Sequence, residues 1–111
     1  MERNPCVYML ASGFNGTLYT GVTSDLASRL FKHREGLTKG FVDRYDVRRL
    51  VWIEMHADMV SAISREKALK KWRREWKVSL IVAENPTWRD IAEDFGFAPI
   101  RRQVDPGSRP G

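Results

Sequence analysis

Tyr8, Tyr19, Arg29, His33 and Glu66 are the residues whose types and spacing could together act on a phosphate. Tyr8 and Tyr19 lie on two β-prone runs, residues 6 to 11 and 17 to 22, separated by a turn-rich stretch with Gly13, Asn15 and Gly16. An antiparallel hairpin would set the two hydroxyls opposite or diagonal on one sheet face. Tyrosine is also simply a good strand residue, which explains the pair equally well when it is viewed alone. Arg29 and His33 are four apart on a helix expected from Asp25 to about Glu35, and they share a side with Leu26 and Leu30. A guanidinium forks onto phosphate oxygens and an imidazole exchanges protons near neutral pH. Viewed alone, the two are equally boundary residues reaching for water.

Glu66 is the most informative single position, because helical spacing sets it among Met59, Ala62 and Ile63 on an apolar stripe. A carboxylate there needs a cation, an arginine or a solvent-filled cleft, since burying an unpaired charge costs several kcal/mol, roughly. The competing account is an exposed pair with Lys70, four residues on, worth about 0.3 to 0.5 kcal/mol. Around Glu66 runs the densest basic stretch, Arg65, Lys67, Lys70, Lys71, Arg73, Arg74 and Lys77, interleaved with Trp72 and Trp76. Such a run attracts phosphates without regard to sequence, and an exposed tryptophan there would stack on an unpaired base. Both tryptophans are expected mainly in the core. His56, after the third strand, reads as a surface or strand-end residue, and Asn85 before Pro86 reads as a helix N-cap.

The elements that must hold these residues follow from periodicity. After the hairpin and first helix comes a loop from Gly36 to Asp46 with Gly40, Phe41 and Tyr45, then a buried strand over 50 to 55. Asp58 starts a helical pattern that continues past Trp76 to Ile81, as one long helix or two abutting ones. Asn85-Pro86 predicts a last helix to Phe95, ended by Gly96. Residues 1 to 96 are thus expected to form a single domain, with 97 to 111, rich in Pro and Gly, as a disordered tail. The class is α/β in the α+β sense, with about three strands.

At 111 residues the chain has room for one core, and 42% hydrophobic with 30% charged residues suits a globular domain. A net charge of +5 favours a polyanionic partner, nucleic acid first. The lone cysteine, Cys6, excludes an intramolecular disulfide framework and any zinc site built from several cysteines, and it fits a reducing compartment. No apolar run reaches the roughly 18 to 20 residues of a membrane span, and no export leader is evident, so a cytoplasmic location without membrane contact is expected.

Taken in order, Cys6-Val7-Tyr8, Tyr19-Thr20-Gly21, Arg29 with His33, Glu66, and Asn85 further on resemble the GIY-YIG nuclease family over roughly residues 5 to 95. The chain looks most like its small, stand-alone bacterial branch. Cys6 stands where the first motif has glycine, Thr20 where the second has isoleucine, and Val22 where repair-type members often carry lysine. None of these removes a catalytic side chain. The resemblance implies a three-stranded antiparallel sheet flanked by helices, and a metal-dependent endonuclease that hydrolyses DNA phosphodiesters, with a role in repair or recombination. Glu66 would hold a single magnesium or manganese ion, Arg29 the scissile phosphate, and His33 would assist it or shuttle a proton. Tyr8 and Tyr19 would orient or deprotonate the attacking water, in an order the pattern leaves open, and Asn85 would help orient the phosphate. Lys67, Lys70, Lys71, Arg73, Arg74 and Lys77 would contact nucleic acid, single- or double-stranded, and a protein partner would supply specificity. The alternative is a non-catalytic nucleic-acid-binding module on the same fold.

Overall fold

The computed structural model of the chain describes residues 4–36, 40 and 45–100. Three strands, β1 (Cys6–Ala11), β2 (Leu18–Thr23) and β3 (Arg49–Met55), form an antiparallel sheet in the order β2-β1-β3. Every residue of β1 is buried, because the strand is paired on both edges and covered on both faces. That is why its sequence, CVYMLA, is apolar throughout instead of alternating. The pairing of β1 with β3 shifts register between Met9 and Leu10, and Val51 and Trp52 then both join the same core layer.

Each face of the sheet has its own core. Val7, Met9 and Ala11 point to one side, where they meet Ala62 and Leu69 of α2 (Met59–Lys70), Ile81 of α3 (Arg74–Glu84) and Trp88. Tyr8 and Leu10 point to the other, against Leu30 of α1 (Leu26–Arg34), Val47, Leu50 and Ala92 of a 3-10 helix (Ile91–Phe95). Asp25 and Asp58 cap α1 and α2 by accepting from the backbone amides of Ser28 and Ser61. Lys32 and Arg34 complement the C-terminal end of α1.

The pattern after Asp58 resolves into two helices, with the break at residues 71–73. The helix expected over residues 86 to 95 does not form. Asn85 is instead the C-cap of α3, and only 91–95 coil, as a 3-10 helix capped by Asp90. Trp88 adopts a left-handed φ of 58°, which no helix tolerates, and buries its indole in the core. Burial of that ring outweighs the local Asn-Pro signal. Asp90 ties this segment down by accepting from the amides of Leu50 and Ala92 and pairing with Arg34.

The loop proposed from Gly36 to Asp46 lies partly outside the described residues, at 37–39 and 41–44, as does the tail at 101–111. Residues 97 to 100 are described: Phe97 packs on the α1 side of the core, Arg34 stacks over its ring and donates to the Ala98 carbonyl.

Candidate active site

Register decides how the two tyrosines meet. Tyr8 pairs with Gly21 and Tyr19 with Leu10, so the rings are diagonal neighbours on the α1 face, with centroids 6.3 Å apart. Gly21 is what allows this. A Cβ there would stand 2.5 Å from both Cζ and the hydroxyl of Tyr8 and 3.0 Å from Tyr19, so the motif glycine is a bare floor under the Tyr8 ring.

From α1, His33 turns inward at 3% exposure and brings Nε2 to 3.2 Å from the Tyr8 hydroxyl. Tyr19 meets the same imidazole edge to face, at 5.9 Å between centroids. Arg29, one turn earlier and half-buried, hydrogen-bonds the Tyr8 hydroxyl. Arg48 holds the backbone of α1 at this point, its Nε donating to the His33 main-chain carbonyl at 3.0 Å.

The electrostatics are one-sided. Burial, then the charges of Arg29 and Arg48, hold His33 down to about 4, so the imidazole is neutral at physiological pH. Burial, reinforced by Tyr19, pushes Tyr8 well above the ordinary phenol range even though Arg29 opposes it. Tyr8 therefore keeps its proton. Arg29 can only donate to the Tyr8 oxygen, and the same hydroxyl is hydrogen-bonded to Nε2 of the neutral His33.

Glu66 lies on α2, on the opposite face of the sheet, between buried Ala62 and Leu69. It is 8% exposed, and Oε2 pairs with Lys70 Nζ at 2.5 Å. Both sequence accounts of Glu66 thus hold in part: the Lys70 pair exists, and the carboxylate is nonetheless buried. The stripe runs through 62, 66 and 69, leaving Ile63 at 37% exposure. α2 packs over β1 and over β2, the edge strand that carries Tyr19.

No cluster of three or more His, Cys, Asp or Glu exists among the described residues. A single carboxylate still suits a hard cation such as magnesium, which keeps most of its waters and takes phosphate oxygens as further ligands. Cys6 plays no part: burial pushes its thiol up to about 11.

Asn85 is drawn away from this chemistry. Its carboxamide nitrogen donates to the carbonyls of Val51 and Arg89, and its oxygen accepts from the Arg89 amide. His56 bridges Glu54 and Ser61 at the strand end, while Arg65 pairs with Glu54 and stacks on Trp72. Of the basic run, Lys67, Lys70, Lys71 and Arg73 are exposed, Lys77 is half-buried, and Arg74 is bonded to the hairpin turn. The expectation of two core tryptophans fails for Trp76, which is 51% exposed because α3 begins afresh at Arg74 and turns that position outward. Arg48, fifteen residues from His33 across a loop, carries no local pattern that would mark it as a support for the His33 backbone. Gly21 was visible only as a motif letter.

Fold and sequence pattern together define a GIY-YIG nuclease domain: the model described as the GIY-YIG catalytic domain matches residues 4–79, and the chain belongs to that family. It is similar to a UPF0213 protein of Streptococcus sanguinis, 35% identical over 81 residues that cover 73% of this chain and 92% of that protein. A UPF0213 protein of Pseudomonas aeruginosa is 33% identical over 79 residues, 71% of this chain and 75% of that one. Among solved structures, the solution structure of a UPF0213 protein from Bacillus halodurans superposes with a TM-score of 0.50 at 26% identity, covering 81% of this chain and 95% of that chain. No helix among the described residues is long and apolar enough to cross a membrane.

Proposed function

We propose that the chain is a divalent-metal-dependent endonuclease that hydrolyses phosphodiester bonds in DNA. The observation that carries this reading is the bond between the Tyr8 hydroxyl and a neutral His33, with Arg29 on the same hydroxyl and Tyr19 against the same ring.

Tyr8 and His33 are almost without solvent exposure, whereas Tyr19 and Arg29 are half-buried, so substrate meets the cluster through the latter two. Arg29 holds the nonbridging oxygens of the scissile phosphate. Tyr19 orients the water whose oxygen forms the new bond to phosphorus as the bond to the departing sugar oxygen breaks. The proton shed by that water passes into the Tyr8–His33 pair, whose imidazole is neutral at physiological pH and so has one ring nitrogen able to accept it. Glu66 would hold the magnesium or manganese ion, which when bound supplies charge neutralisation at the phosphate. A role in repair or recombination, and a protein partner that supplies specificity, belong to the same proposal.

A second reading, a nucleic-acid-binding module without catalysis, is favoured by one observation: Lys70 already neutralises Glu66. The test is cleavage of labelled single-stranded and duplex DNA by the parent and Glu66→Ala, each with magnesium, manganese and chelator. Metal-dependent cleavage by the parent alone supports the enzyme. Equal cutting by both removes Glu66 from the mechanism, and salt-sensitive binding without cutting selects the binding module.

A further inference from the structure

Trp76 differs from the other tryptophans. Trp52 and Trp88 are each 2% exposed and Trp72 packs partly against the core, while Trp76, in the first turn of α3, is half open to solvent. The ring is nevertheless held in place. Trp72 meets it edge to face, at 6.0 Å and 85°, and the Arg73 guanidinium lies 5.6 Å from its centroid. The surroundings are cationic: Lys77 is pulled below the ordinary lysine range by burial and then by the charges of Lys70 and Arg74. Cations crowded in this way gain from a bound anion.

The platform is also joined to the catalytic strand. Arg74 donates to the carbonyls of Asn15 and Gly16, both at 2.9 Å, in the turn that leads directly into Leu18 and Tyr19. Arg74 thus ties the start of α3, two residues before Trp76, to the turn that leads into the strand carrying Tyr19. The crowded cations select a polyanion. A fixed, half-open indole among them selects an unpaired base, because a duplex keeps its base faces stacked inside.

We infer that Trp76 and Arg73 form a stacking subsite for an unpaired nucleotide of a single-stranded nucleic acid, whose phosphates run along Arg74 and Lys77. The subsite rests on the nucleic-acid partner proposed above and is independent of catalysis.

The test titrates an oligothymidine of about ten nucleotides, and a duplex of similar length, into the full chain in chelator. Intrinsic tryptophan fluorescence and anisotropy are read for the parent, Trp76→Ala and Trp76→Phe. The oligothymidine should quench the parent, and Trp76→Ala should lose most of that quenching and about tenfold in single-strand affinity. Trp76→Phe, which keeps a ring, should retain most of the affinity, and duplex binding should change little in either variant. Unchanged single-strand affinity in Trp76→Ala overturns the subsite, as does an equal loss for single strand and duplex, or a Trp76→Phe no better than Ala. Quenching by a parent that never cuts DNA would sink the nuclease reading and leave the subsite standing. Cleavage by a parent whose Trp76→Ala binds normally would do the reverse.

Discussion

The Tyr8 hydroxyl and Nε2 of His33 stand 3.2 Å apart, inside a core that admits almost no solvent to either. Tyr8→Phe keeps the ring but removes the hydroxyl, and cleavage should fall about 100-fold, the lower range for loss of a positioned proton carrier. Stability should drop by only about 1 to 3 kcal/mol, the cost of leaving Nε2 without its partner. Single-turnover cleavage and denaturant unfolding check the two halves. A variant as active as the parent removes Tyr8 from the proton path.

Gly21→Ala should be far more harmful than its size suggests. The added methyl meets Tyr8 at 2.5 Å, and the ring is pinned between strands and α1, so it cannot simply swing away. Overpacking of this kind costs about 1 to 3 kcal/mol, and the displaced hydroxyl should lose His33 as well. Thermal melting together with the His33 ring resonances in NMR would show both effects, and a native-like Tyr8–His33 contact in the variant would contradict the account.

Acid should destabilise the fold through His33. The folded chain holds this imidazole at about 4, against an ordinary value of 6.5, so between those pH values the unfolded chain binds a proton that the folded chain refuses. The contribution is fully present above pH 6.5 and is lost as pH falls toward 4, below which it levels off. The stability advantage of the parent over His33→Gln, measured in denaturant at stepped pH, should therefore shrink through that window. A constant difference means that His33 does not titrate there.

Lys70 competes for the Glu66 carboxylate. Lys70→Met removes that competitor and should tighten manganese binding about fivefold, the equivalent of an ion pair worth about 1 kcal/mol. Calorimetric titration reads this directly. Affinity that stays the same or weakens would place the cation elsewhere.

Asn85→Ala separates architecture from chemistry. Its carboxamide makes three hydrogen bonds to backbone, which join the C-terminus of α3 to β3 and to Arg89. Their loss should cost about 2 to 4 kcal/mol of stability while leaving cleavage per folded molecule unchanged. A selective fall in the cleavage rate with stability intact would restore Asn85 to a phosphate-orienting role.

What the sequence determined by itself was the local frame. The apolar run of β1, the turn residues after Ala11 and the caps Asp25 and Asp58 act over a few residues, so hairpin, sheet and helices were legible from order and spacing. The same locality exposed Tyr8, Tyr19, Arg29, His33 and Glu66 as chemical candidates. Tertiary structure alone decided which of them meet. Register, a property of two strands, made the tyrosines diagonal and turned Gly21 into a floor for Tyr8. Burial, a property of the whole core, made His33 neutral and kept Tyr8 protonated. Long-range packing overruled local signals where the two conflicted: burial of Trp88 cancelled the Asn85-Pro86 helix start, and the restart of α3 at Arg74 left Trp76 in solvent. Strand pairing and desolvation sum over residues distant in the chain, which no short window of sequence contains.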